Sequence, residues 1–174
     1  MNPNATFTTS DESLRAPLLV RDRSGEYFSA QPEDILHAAR ALLERKLQGE
    51  DLLNRPEDVQ QYLRIRTAHL EHEVFGLVHL DAQHRLIRTE EIFRGTLSQA
   101  TIYPREIVKE CLRINSAAVI LYHNHPSGSP EPSRADEALT QQLKAALNLV
   151  DVRVLDHIVV TNRQTMSFAQ RGLL

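Results

Sequence analysis

Apolar positions along the chain change their period several times, and each change marks an element. From Pro32, the residues Ile35, Leu36, Ala39, Leu42 and Leu43 recur at three- and four-residue spacing. This predicts an amphipathic helix from Pro32 to Leu47, with proline in the tolerated first turn. Ahead of it, Leu18-Leu19-Val20 and Glu26-Tyr27-Phe28 flank Arg21-Asp22-Arg23-Ser24-Gly25 and read as a small hairpin with glycine in its turn. Met1 to Ala16 is polar and without period, the pattern of a disordered or loosely docked tail. After Gln48-Gly49-Glu50-Asp51, the stretch Asn54-Arg55-Pro56 opens a second helix with Val59, Tyr62 and Leu63 on one side and Ile65 beside them. Residues 1–16 are thus expected as a tail, 17–66 as a hairpin with helices, and 67–174 as the main domain.

Within that domain the patterns alternate. Val74 to Leu80 reads as a strand, Asp81-Ala82-Gln83-His84 as a turn and Arg85 to Arg94 as a second strand. Pro104 opens a helix with Ile107, Val108, Cys111 and Leu112 as its stripe and Lys109 and Arg113 outside. Ala117 to Tyr122 is continuously apolar, as in a strand covered on both faces. Ser133 starts a helix with Leu139, Leu143, Ala146 and Leu147 inward, ending near Asn148. Val152 to Val160 and Thr165 to Phe168 then read as closing strands. Alternating helices and strands predict an α/β layered domain with a mixed sheet flanked by helices.

Composition narrows the class without selecting a function. The chain has 174 residues, 41% hydrophobic and 25% charged, as in an ordinary globular protein. Its net charge of -3 gives DNA binding no support. Cys111 is the single cysteine, which excludes an internal disulfide and fits a reducing compartment. No signal peptide or membrane-length apolar run is visible, so a cytoplasmic protein is expected.

The candidate chemistry lies just after the apolar run Ala117 to Tyr122, in His123-Asn124-His125-Pro126-Ser127-Gly128, followed by Ser133 and Asp136. Residues two apart on a strand share a face, so both imidazoles can aim at one point. The Pro/Ser/Gly loop can reverse the chain and return Asp136 to them. Two imidazoles and a carboxylate with a free fourth position make a catalytic zinc arrangement. Ser133-x-x-Asp136 is also a capping box in form. On these grounds alone, a metal site and a satisfied polar loop are about equally supported.

The wording of the motif adds more. His-x-His-Pro, with Ser and Asp at their later spacing, resembles the JAMM motif of the JAB/MPN zinc metalloproteases. His-Asn-His-Pro-Ser-Gly with Pro-Ser-x-x-Asp is similar to the RadC-like (UPF0758-type) branch of that family. Phe93-Arg94-Gly95-Thr96, Tyr103-Pro104-Arg105-Glu106 and Val152 to His157 agree with it. The resemblance spans roughly Leu63 to Gly172. It implies a JAB/MPN, cytidine-deaminase-like fold, Zn2+ held by His123, His125 and Asp136, and Ser133 stabilising an oxyanion. It also implies an upstream glutamate as proton carrier. Glu73 in Glu73-Val74-Phe75-Gly76-Leu77 matches that pattern; Glu71 is a rival that shares its face if the strand begins early.

What the resemblance implies is hydrolysis of peptide or isopeptide bonds in a protein or peptide substrate. The alternative is a metal-binding scaffold in a DNA-repair or mobile-element complex. Longer members carry a helix-hairpin-helix-like region in front; Met1 to Pro56 shows no Gly-rich signature of that type, so short element-borne members resemble this layout better and a DNA role is weakened. Among the remaining residues, His157 is a candidate hydrogen-bond partner for a zinc ligand, although a structural histidine is the commoner case. His69, His72, His79 and His84 lack ligand spacing and read as surface or interface residues. Arg94 and Arg105 read as solvated, with a substrate groove as the alternative.

Overall fold

The computed structural model describes residues 18–21, 24–48, 56–95 and 102–174. The expected tail over Met1 to Ala16, the middle of the hairpin turn, the loop around Gly49 to Asp51, Asn54-Arg55 and Thr96 lie outside the described residues. The chain divides into two compact units, Met1–Ala38 and Ala39–Leu174. In the first, β1 (Leu19–Arg21) and β2 (Tyr27–Ser29) pair antiparallel with Val20 opposite Phe28, and all their residues are exposed. Gly25 supplies the positive φ of the turn, +95°.

Helix α1 (Pro32–Leu47) has the predicted bounds, but its apolar residues are less covered than the spacing suggests. Leu47 is buried and Leu36 and Leu43 half-buried, whereas Ile35 and Leu42 are exposed. In the second unit Leu43 packs against the core with Leu47, and Leu42 is rotated away from that row. Helix α2 (Pro56–Thr67) buries Val59, Tyr62, Leu63 and Thr67.

The second unit is built on a five-stranded sheet ordered β4 (Leu86–Arg94), β3 (Val74–Leu80), β5 (Ala118–Asn124), β6 (Arg153–Val160), β7 (Thr165–Ser167). Only β5 and β6 run parallel, so the sheet is mixed, as expected. Helix α3 (Pro104–Ile114) connects β4 to β5, and α4 (Arg134–Asn148) is the crossover between the parallel β5 and β6. Every residue of β3 and β5 is buried, because both faces of these central strands are covered.

Alternation divides the core in two. Ala118, Ile120 and Tyr122 of β5 pack with Val74, Val78, Leu63 and Leu47 on one face. Val119 and Leu121 pack with Phe75, Leu77, Ile107, Cys111, Leu143 and Leu147 on the other. Helices α3 and α4 thus cover the face toward which odd-numbered β5 residues point. The α3 stripe is narrower than expected: Ile107 and Cys111 are buried but Leu112 is 57% exposed. Residues 107 and 111 are one turn apart and suffice to meet α4; Leu112 falls beyond that contact line. Burial pushes the Cys111 thiol up to about 12, so it is a core hydrophobe and not a nucleophile.

Glycine is required at position 76. A Cβ there would lie 2.3 Å from the Tyr122 ring and hydroxyl and 2.4 Å from the Glu90 carbonyl. That close approach lets the Tyr122 hydroxyl donate to the Glu90 carbonyl at 3.1 Å, tying β4 and β5 across β3.

Candidate metal centre

The site forms at the carboxyl end of β5, where the chain leaves the sheet to begin the crossover to α4. Strand geometry persists to His125, whose backbone N–H donates to the Val160 carbonyl at 2.8 Å. His123 and His125 therefore share the α4-covered face, as their spacing predicts. Beyond them Gly128, at φ +84°, donates to the His125 carbonyl and turns the chain. His123 is fully buried, while the His125 side chain keeps 13% exposure. Of the two imidazoles, only that of His125 is therefore open to solvent.

Asp136 combines the two roles that the sequence left in competition. Ser133 caps α4: its Oγ accepts from the Asp136 N–H at 3.1 Å, and Asp136 Oδ2 accepts from the Ser133 N–H at 2.7 Å. The same carboxylate faces the histidines, with Oδ1 3.6 Å from His123 Nε2 and Oδ2 3.7 Å from His125 Nε2. The two Nε2 atoms are 2.9 Å apart.

These distances suit a metal. Ligand bonds of about 2.0–2.2 Å in a tetrahedron place neighbouring donors roughly 3.3 Å apart, and the observed 2.9, 3.6 and 3.7 Å bracket that value. Among the described residues, His123, His125 and Asp136 form a group whose ligand atoms all lie within 4.8 Å of one another. Two imidazole nitrogens and a carboxylate are a borderline-hard set that zinc accepts, one short of its usual four ligands.

Neighbouring side chains hold this set. His123 Nδ1 lies 2.8 Å from His157 Nε2, and His157 Nδ1 lies 2.6 Å from Thr140 Oγ1. His157 stacks on Phe168 with ring centroids 4.7 Å apart and meets the edge of Phe75 at 5.9 Å. Burial holds the His157 imidazole well below its ordinary pKa, and burial likewise brings His123 down to about 4 against the opposing pull of Asp136. Both rings are thus neutral at pH 7, the form a metal requires. His125 Nδ1 sits 2.9 Å from the Ser129 carbonyl.

Glu73 precedes β3 directly and is half-buried. Phe75 pairs with His123, so continuing the register places Glu73 across from His125 and on its face. Its backbone is fixed on three sides. The Glu73 carbonyl accepts from the Gly95 N–H at 2.9 Å. Asn124 accepts from the Val74 N–H at 2.7 Å and donates to the His72 carbonyl at 3.0 Å, gripping both neighbours of the glutamate. Glu71 is exposed and lies in the bend before the strand, so the early strand start on which its rivalry depended does not occur. Ser133 is at the site, and its hydroxyl donates to Asp136 Oδ2 at 2.7 Å.

Thr140 and Asn124 were not singled out by sequence. A threonine inside a helix and the residue between two histidines carry no signal of their partners. His79 departs from expectation: it is fully buried, with Nδ1 2.8 Å from Ser116 Oγ. It belongs to β3, whose two faces are both covered, which a single-strand pattern does not reveal.

Comparison with known proteins agrees with this architecture. The family model described as RadC-like JAB domain matches residues 53–173. A UPF0758 protein of Methylibium petroleiphilum is 58% identical over 80% of this chain and 63% of its own length. One from Variovorax paradoxus is 48% identical over 95% of this chain and 72% of its own. One from Vibrio cholerae is 52% identical over 80% of this chain and 88% of its own. The chain spans 63% to 65% of the length of relatives such as those of Methylibium petroleiphilum and Nitrosomonas eutropha.

Proposed function

The chain belongs to the RadC-like JAB domain family, and from that premise we propose that it is a zinc-dependent hydrolase of peptide or isopeptide bonds. The observation that carries this reading is the convergence of His123 Nε2, His125 Nε2 and the Asp136 carboxylate at the open end of β5. Zinc held by these three would polarise the substrate carbonyl and lower the pKa of a water in its remaining position to about 7.

Glu73 accepts the proton that the attacking water gives up as its oxygen bonds to the carbonyl carbon. It returns that proton to the leaving nitrogen as the C–N bond breaks, yielding a carboxylate and an amine. Ser133 contacts the developing oxyanion; to do so its hydroxyl turns from Asp136 Oδ2, where it donates in this structure. The buried His123 ring excludes water from the inner side, so substrate approaches past His125.

Metal analysis of wild type and His123→Ala, with activity profiling on peptide and isopeptide substrates, tests this. About one zinc per chain is expected in wild type and none in the variant, with hydrolysis abolished in parallel. Stoichiometric zinc retained by His123→Ala overturns the site. Chelation that unfolds wild type, instead of merely stopping turnover, would favour a structural metal in a scaffold.

A further inference from the structure

We propose that His157 and Thr140 are positioning residues whose one-way hydrogen-bond chain fixes His123 in the tautomer that leaves its Nε2 lone pair free for a cation, an inference that rests on the metal reading above. The chain begins at a backbone carbonyl. Thr140 follows Asp136 by one helical turn, and its Oγ1 lies 2.6 Å from the Asp136 carbonyl. A carbonyl only accepts and a threonine hydroxyl has one hydrogen, so that hydrogen is committed there.

The rest follows in sequence. Thr140 Oγ1 can only accept from His157 Nδ1, 2.6 Å away, so Nδ1 carries the His157 hydrogen. A neutral imidazole has one N–H, which leaves His157 Nε2 as an acceptor. His123 Nδ1, 2.8 Å from it, must donate. His123 Nε2 is therefore bare. At the second imidazole the Ser129 carbonyl, 2.9 Å from His125 Nδ1, takes that ring's hydrogen and bares its Nε2 as well.

Two consequences distinguish this arrangement from a polar loop. The Nε2 atoms 2.9 Å apart face each other as acceptors, with carboxylate oxygens 3.6 and 3.7 Å away and no hydrogen left to share among them. A cation satisfies all three, whereas hydrogen bonding within the trio does not. The chain also closes on itself, since it runs from His123 on β5 through β6 to the backbone of Asp136, tying two of the three donors together.

The test uses the full chain with labelled histidine nitrogens. Long-range proton–nitrogen spectra of the metal-free protein at mildly alkaline pH are expected to show His123 and His157 protonated at Nδ1. Zinc affinity, read by competition with a chelator, is expected to fall roughly 10–100-fold in the near-isosteric Thr140→Val. His123 should lose its single tautomer in that variant, and Thr140→Ser, which keeps the hydroxyl, should restore both readings. Backbone spectra of each variant report whether the fold is retained. A wild-type His123 protonated at Nε2, or unchanged zinc affinity in a folded Thr140→Val, overturns the proposal. A wild type that takes up no zinc overturns the metal reading instead, and the histidine spectra then decide the chain by themselves.

Discussion

The two ends of the central strands each bury a histidine beside carboxylates, and they balance charge in opposite ways. At the far end, His79 on β3 lies 3.9 Å from Glu90, and Glu90 and Glu110 are met by the guanidinium groups of Arg88 and Arg113. Hydrogen bonding to Arg113, with Glu90 beside it, brings the Glu110 carboxyl down to about 2. That cluster supplies its own cations. At the site end, the partners of Asp136 are the imidazoles of His123, which burial brings down to about 4, and of His125, whose Nδ1 faces the Ser129 carbonyl. The difference teaches where a positive charge must come from outside, and burial of a histidine alone does not reveal it.

From that contrast, changes at the site end should alter chemistry, whereas changes at the far end should alter stability alone. Glu73→Gln is expected to lower hydrolysis by about 10²- to 10⁴-fold while zinc content stays at the wild-type level. Glu71→Gln, out in the bend, should leave both near wild type. Equal losses from the two variants would remove the distinction drawn between these glutamates.

Acid stability should draw on both ends, and at the far end it can be tested without touching the site. His79, like His123, is depressed by burial from 6.5 to about 4, and His157 lies well below 6.5. The unfolded chain therefore binds more protons in that window, and stability falls as pH drops from about 6.5 toward 4. A histidine shifted this far contributes at most about 3 kcal/mol. In denaturant titrations at several pH values, His79→Asn should flatten part of this slope without changing zinc content at neutral pH. A slope unchanged by the substitution would mean that His79 is not neutral in the fold.

The smallest effect is expected where the two concerns meet. Asn124→Ala removes two hydrogen bonds to the backbone and leaves the buried Val74 N–H unpaired. The cost should be about 2 kcal/mol in unfolding measurements. Because the lost bonds flank Glu73, hydrolysis should fall while zinc affinity holds. Loss of zinc in step with activity would show that the clamp supports the whole strand end rather than the glutamate.

Sequence carried the local part of this structure well. The bounds of α1 and β3, the hairpin, and the shared face of His123 and His125 follow from proline placement, apolar runs and residue parity. What it missed depends on partners distant in the chain. Asn124 reaches residues fifty and fifty-two positions away, and Thr140 meets His157 across the crossover. Leu42 and Leu112 looked like core residues because helical period gives a face but not how wide a neighbour covers it. The competition between cap and ligand at Asp136 was real in the sequence, and folding resolves it by giving one carboxylate both partners.

That double employment bears on how such a site ages under mutation. A chain that had ceased to act on any substrate would still lose about 0.3–1.5 kcal/mol of helix stability by discarding the acid of its capping box. Selection for foldedness alone therefore protects Asp136, whose carboxylate accepts from the Ser133 backbone whatever else it does. His125 has no comparable structural duty beyond its bond to a loop carbonyl. In a descendant of this protein, the acid would be the last ligand to disappear and the more exposed imidazole, His125, the first, so that imidazole is the better marker of a working centre.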